Sequence, residues 1–61
     1  MRIFDSQRNL KGTVTGTLSL HSDDPIMRSV WETAELELSS EGAEREEELK
    51  KYLEARGYLV E

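Results

Sequence analysis

Two runs of alternating apolar and polar residues dominate the first two thirds of the chain. In residues 13–21 the apolar side chains take even positions, and threonine, serine and histidine take odd ones. In residues 29–39 the aliphatic side chains again take even positions, whereas Trp31 takes an odd one. A period of two is typical of half-buried antiparallel strands. The pattern therefore predicts a hairpin whose two strands are joined by a turn at residues 22–25.

The start of the chain predicts one more strand, at residues 1–5. The stretch 5–12 is polar and ends on a glycine, which is typical of a loop. Gly16 interrupts the apolar side of the following run, and there it indicates a bulge or a close approach of another backbone segment.

The last third of the chain predicts a helix over residues 41–56 and a final strand over 58–60. Ser40 is a suitable N-cap, and acidic residues precede basic ones along the helix, in agreement with the helix dipole. Gly57 is the residue type that ends many helices in a left-handed conformation.

These elements predict an α+β fold, a single small domain of residues 1–61. It contains a mixed four-stranded sheet in the order β-β-β-α-β, with one helix packed on one face. A right-handed crossover would place the last strand parallel to residues 29–39. We expect Leu18, Leu36 and Leu53 to form the core between the sheet and the helix.

The size and the net charge of the chain limit which classes of function it can have. A chain of 61 residues without cysteine and with one histidine has no disulfide or structural zinc to stabilise it, which favours a partner subunit. We therefore expect a homodimer or another protein partner. The net charge of −5 disfavours nucleic-acid binding. The chain shows no apolar run of signal-peptide or membrane-span length, so we expect it in the cytoplasm, away from membranes.

No motif in the chain predicts catalysis, a cofactor or a metal. None of the serines lies in a Gly-x-Ser-x-Gly elbow. His21 and Ser22 would point to opposite faces of a strand, so they could not share a proton. His21, Asp23 and Asp24 lack any established metal-ligand spacing. We therefore predict no catalytic, cofactor-binding or metal-binding residues.

The sheet face opposite the helix is the predicted site of interaction. Tryptophan is enriched at binding hot spots, and Trp31 is out of phase with the aliphatic positions, so we predict that another chain buries it. The predicted interface residues are Trp31, Thr15, Thr17, Thr33 and Phe4.

The predicted function is that of a small non-enzymatic binding or regulatory protein, which acts through protein–protein contacts and self-associates. One alternative is a nucleic-acid-binding module that uses sheet aromatics and the N-terminal arginines and lysine. Another is a subunit of an oligomeric enzyme whose site lies between protomers. No motif identifies a family.

Overall fold

The computed structural model describes residues 1–61 and contains four strands and two helices. The elements in chain order are β1 (Arg2–Phe4), β2 (Leu10–Val14), β3 (Leu20–His21), α1 (Pro25–Glu37), α2 (Gly42–Ala55) and β4 (Leu59–Val60). The sheet has the order β3-β2-β1-β4, and every neighbouring pair is antiparallel. The predicted α+β class is confirmed. The predicted mixed sheet is wrong, because the last strand pairs with β1 and not with residues 29–39.

Two hairpins of the same design join the first three strands. In the first, the Asp5 N–H donates to the Asn9 carbonyl (3.0 Å), and the Asp5 carboxylate accepts the Asn9 N–H (2.9 Å). In the second, the Thr15 N–H donates to the Ser19 carbonyl (3.1 Å), and the Thr15 hydroxyl accepts the Ser19 N–H (3.3 Å). Short polar side chains suit these positions because they can bond to the backbone of their own turn.

The second turn divides the predicted strand 13–21 into two short strands. Leu18 has a left-handed backbone conformation (φ 59°), which ends regular strand geometry. The apolar alternation nevertheless has a structural basis, because Leu18 and Leu20 both pack against the buried core. A Cβ at Gly16 would meet no atom within 4 Å, so the predicted close approach is absent there.

Helix α1 replaces the predicted strand 29–39. Its N-cap is Asp24, whose carboxylate accepts the N–H groups of Ile26 (2.8 Å) and Met27 (3.3 Å). Pro25 follows at the first helical position, where a missing N–H costs nothing and the fixed φ suits the helix. The Asp-Pro pair predicted as a turn is therefore the start of a helix.

The side chains that α1 contributes to the core recur at helical spacing. They are Met27, Val30, Trp31 and Ala34, followed by Leu38 at the C-cap. Val30, Ala34 and Leu38 fit both a two-residue alternation and a helical stripe, so they do not distinguish the two structures. Leu36 belongs to the alternation only, and it is 88% exposed. Its predicted place in the core is therefore wrong.

Helix α2 lacks a side-chain cap at its N-terminus but is well capped at its C-terminus. The predicted N-cap Ser40 instead donates its hydroxyl to the Glu48 carboxylate (2.6 Å), and no side chain caps the helix. At the other end, the Tyr58 N–H donates to the Leu53 carbonyl and the Gly57 N–H to the Glu54 carbonyl, both at 3.1 Å. This pair of bonds is a Schellman motif. The predicted left-handed conformation of Gly57 is confirmed (φ 90°).

A single cluster of seven buried apolar side chains joins the sheet to both helices. Its members are Ile3, Val14, Met27, Trp31, Ala34, Leu49 and Leu53. Ile3 and Val14 share one face of the sheet, because Ile3 pairs with Gly12 and Gly12 alternates with Val14. Both helices therefore cover that face, which we call the inner face.

Gly57→Ala should destabilise the protein by about 1 kcal/mol, because a Cβ is strained in the left-handed region. Gly16→Ala is the matched control: it has open space for a Cβ and no positive φ. That variant should be unchanged or up to about 1 kcal/mol more stable. Urea unfolding of both variants measures the difference, and equal effects would contradict the cap assignment.

Leu53→Ala should lower the free energy of unfolding by about 2–5 kcal/mol, because it leaves a cavity beside a fully buried side chain. A loss of that size is enough to unfold a domain this small. Leu36→Ala should change the free energy of unfolding by no more than about 0.5 kcal/mol, since Leu36 is exposed. Circular dichroism melts of the two variants test the assignment, and a Leu36→Ala variant that unfolds would refute the helical placement of α1.

Candidate interaction surface on the outer sheet face

Trp31 is buried by its own chain. It lies on α1, it is 4% exposed, and its indole N–H donates to the Glu35 carboxylate at 2.6 Å. The prediction that it lies on the sheet face opposite the helix is therefore wrong. The physical reason is that a helix, unlike a strand, brings position 31 to the same side as position 34, three residues later.

The other predicted interface residues do not form one surface with it. Thr15 and Thr17 lie in the turn between β2 and β3, where their hydroxyl oxygens are 2.9 Å apart. Thr33 is on the exposed side of α1 and donates its hydroxyl to the Ser29 carbonyl (3.0 Å). Only Phe4 lies on the sheet face that the helices leave uncovered, which we call the outer face.

Phe4 is the centre of an apolar row that crosses three strands of the outer face. It pairs with Leu10 on β2 and with Leu59 on β4. Directly paired residues of antiparallel strands share a face and lie side by side. Leu10 is 55% and Leu59 is 40% exposed, whereas Phe4 is half-buried. None of the three packs against the core cluster.

A β-bulge brings Leu10 to this face. Regular alternation along β2 would place Leu10 on the inner face with Gly12 and Val14. The pairing shifts by one residue, however, from Ile3 with Gly12 to Phe4 with Leu10, and Lys11 is the extra residue. A bulge of this kind redirects neighbouring side chains. The apolar row therefore depends on the bulge at Lys11.

The charges of the outer face are balanced within the chain. The Arg2 Nη2 lies 3.4 Å from Glu61 Oε1, and both side chains are more than half exposed. The Arg2 guanidinium carbon lies 5.8 Å from the centroid of the Phe4 ring. Thr13, paired with Arg2, and His21, paired with Thr13, extend the face as polar residues. The outer face thus has an apolar centre and a polar rim.

The motif His21-Ser22-Asp23-Asp24 lines a shallow groove of about 570 Å³ beside β2. The Ser22 hydroxyl donates to the Lys11 carbonyl, so its proton is already engaged. No group of three or more histidine, cysteine, aspartate or glutamate side chains in the chain is arranged to hold a metal ion. Ser22 and Asp24 therefore have structural roles in this groove. Ser22 bonds to the Lys11 backbone, and Asp24 caps α1 and pairs with the Lys11 side chain.

Lys11 connects the first hairpin to the start of α1. Its Nζ lies 3.8 Å from Asp5 Oδ2 and 3.4 Å from Asp24 Oδ2. The pKa of Asp5 lies below its ordinary value, mainly because the Asn9 N–H bonds to its carboxylate. The pKa of Asp24 is lowered mainly by the bond from the Met27 N–H, with a smaller effect of Lys11. These contacts hold the bulged residue against both elements.

Leu10 and Leu59 are the residues of this surface that the sequence pattern did not identify. Leu10 is the only aliphatic residue between positions 5 and 12, and an apolar residue inside a polar stretch was the available signal.

Comparisons with protein-family models, with curated proteins and with solved structures found no match to this chain. Neither helix is long and apolar enough to cross a membrane.

The stability of the fold should decrease in acid. Asp5 and Asp24 have lower pKa values in the folded chain than in the unfolded one, so the unfolded chain binds protons first. Their contribution is complete above about pH 4, the ordinary aspartate range, and is lost as the pH falls through the lowered folded values. Urea unfolding between pH 7 and pH 2 measures this loss.

Asp24→Asn should reduce the acid dependence, since asparagine still caps a helix but does not ionise. Asp23→Asn is the matched control, because the Asp23 side chain neither caps α1 nor pairs with Lys11. The assignment would be contradicted if both variants lost stability in acid as steeply as the wild type.

Proposed function

We propose that this protein is a small non-enzymatic binding protein that acts through protein–protein contacts on its outer sheet face. The observation that carries the proposal is the apolar row on the side away from both helices, in which exposed Leu10 and Leu59 flank half-buried Phe4. Contiguous apolar side chains with a polar rim are typical of interaction sites. The aromatic ring at the centre of the row is the natural anchor of such a contact.

The small core gives a second reason for a protein partner. Only eight of the 61 residues are buried, and neither a disulfide nor a metal adds stability. Small domains bury a low fraction of their surface and often gain stability from association. A partner that covers the outer face would add apolar burial on the side where the chain itself provides none. A regulatory role, exerted by occupying the surface of another protein, suits this arrangement.

Nucleic-acid binding has less support than protein binding. Phosphate contacts require cationic side chains that are free to replace counterions. Lys11 lies between two carboxylates, and Arg2 is paired with Glu61. Trp31, the aromatic residue expected to stack on bases, is buried in the core. Phe4 is the only aromatic side chain of the outer face, so a stacking platform of several rings is missing there.

An enzyme site between protomers also has less support. Acid–base catalysis needs a group whose proton affinity is matched to its task and a partner group that orients it. On the outer face, Arg2 and Glu61 pair with one another, and His21 stands on the edge strand away from them. The apolar row itself offers no reactive atom, and its side chains suit recognition.

Leu10→Lys tests the proposal, with Leu36→Lys as the matched control. Both replace an exposed leucine by lysine, one on the outer sheet face and one on α1. The wild type and both variants would be immobilised and exposed to a cytoplasmic extract of the source cell, and bound proteins would be quantified by mass spectrometry. We expect at least one protein, including this chain itself, to be retained by the wild type and by Leu36→Lys but lost with Leu10→Lys.

The proposal fails if all three immobilised proteins retain the same set of partners in the same amounts. Circular dichroism of the variants confirms that the fold is intact, so a loss of binding reports on the surface. If Leu36→Lys and not Leu10→Lys abolishes binding, the contact lies on α1 and the outer sheet face is not the functional surface.

A further inference from the structure

The charges of the chain are distributed unequally between its two layers. The sheet layer, residues 1–21 and 58–61, carries three cationic side chains and two carboxylates, a net charge of +1. The remaining residues, 22–57, contain both helices and carry five cationic side chains and eleven carboxylates, a net charge of −6. The chain is therefore strongly acidic on the helical side and close to neutral on the sheet side.

We infer that the occupant of the outer sheet face is a second copy of this chain, packed sheet against sheet. The inference rests on the proposed function and names its partner. Face-to-face packing places the two acidic helical layers on opposite outer sides of the dimer. With sheets about 10 Å apart and helices about 10 Å thick, those layers are roughly 30 Å from each other. Their repulsion is then largely screened at physiological salt, where the Debye length is about 8 Å.

The outer face is also complementary to itself. A two-fold axis brings the same surface of both copies together. Each group must therefore either pack against an uncharged group of the other copy or meet a group of opposite charge. The apolar row satisfies the first condition, since Phe4 and the two leucines carry no charge. The adjacent Arg2 and Glu61 satisfy the second, because each carries the charge that the other attracts. A head-on contact of two such faces buries no unpaired charge.

The size of the face predicts a weak dimer. The sheet is four strands wide, about 19 Å, and its longest strand has five residues, about 17 Å, so the outer face covers at most about 320 Å². Two such faces bury about 640 Å² in total, below the usual range for specific, stable protein–protein interfaces. The chain should therefore form monomers and dimers in proportions that depend on its concentration. Some free monomer should always be present.

Sedimentation equilibrium over about 1 µM to 1 mM tests the inference with the same two variants. The wild type should dimerise reversibly within this range. Leu10→Lys, which adds a charge to the apolar row of the proposed contact, should raise the dimer dissociation constant at least about tenfold. Leu36→Lys should leave it within about twofold of the wild-type value. A wild type that stays monomeric at 1 mM, or equal effects of the two variants, would overturn the inference.

Salt distinguishes this packing from a sheet-on-helix contact between copies. Sheet-to-sheet association should be unchanged or stronger between 0.05 and 0.5 M NaCl, because salt screens the remaining repulsion between acidic layers. Attraction between the sheet layer of one copy and the acidic helices of another would weaken over the same range. Association that weakens severalfold as salt rises would therefore contradict the sheet-to-sheet dimer.

A mixed sample of isotope-labelled and unlabelled chains locates the contact directly. Phe4 is the only phenylalanine, so its ring protons report on one position. We expect intermolecular nuclear Overhauser effects between that ring and the methyl groups of Leu10 and Leu59. Effects that involve Ile26 or Leu36 instead would place the contact on α1 and overturn the inference.

The two levels of the proposal can fail separately. If the wild type is monomeric at 1 mM, yet Leu10→Lys still removes a captured protein, the outer face binds a different protein and the proposed function stands. If Leu10→Lys has no effect in either experiment, both the dimer and the proposed function fail.

Discussion

The burial of the Trp31 indole is the interaction on which the rest of the structure depends. Trp31 is the largest side chain in a core of seven, which contains residues of α1, of the sheet and of α2. Its N–H donates to Glu35 one helical turn later, so burying the ring leaves no donor unpaired. A core this small has no other side chain of comparable area. The indole therefore decides which surface of α1 faces the sheet.

The position of α1 in turn determines which sheet face is available to a partner. Met27, Trp31 and Ala34 belong to the same buried cluster as Ile3 and Val14, and both helices therefore lie on the inner face. A four-stranded sheet has a second face of similar size, and nothing in the chain covers it. The acidic residues are concentrated in and around the helices, on the far side from that face. Fold and charge thus both support the proposed association through the outer face.

Residues 22–39 show why a local pattern can indicate the wrong element. Val30, Ala34 and Leu38 satisfy two-residue alternation as well as helical spacing, so they favour neither. The decisive residues are Met27 and Trp31, which fit only the helix, and Leu36, which fits only the strand. Asp24-Pro25 was a local signal for the helix, since aspartate caps a helix and proline suits its first position. The same pair also occurs in turns, so by itself it did not distinguish a turn from the start of a helix.

Local signals in the sequence were sufficient to predict the α+β class and the C-terminal end of α2, where Gly57 must take a left-handed conformation. Such features depend on a few adjacent residues and their backbone preferences. The antiparallel pairing of β4 with β1, which gives Phe4 its neighbours, could be seen only in the folded chain. Leu59 reaches Phe4 from the far end of the chain, and Leu10 reaches it only because the bulge at Lys11 reverses its side. Long-range pairing and a one-residue register shift leave no local periodicity, so only the folded chain reveals the surface they create.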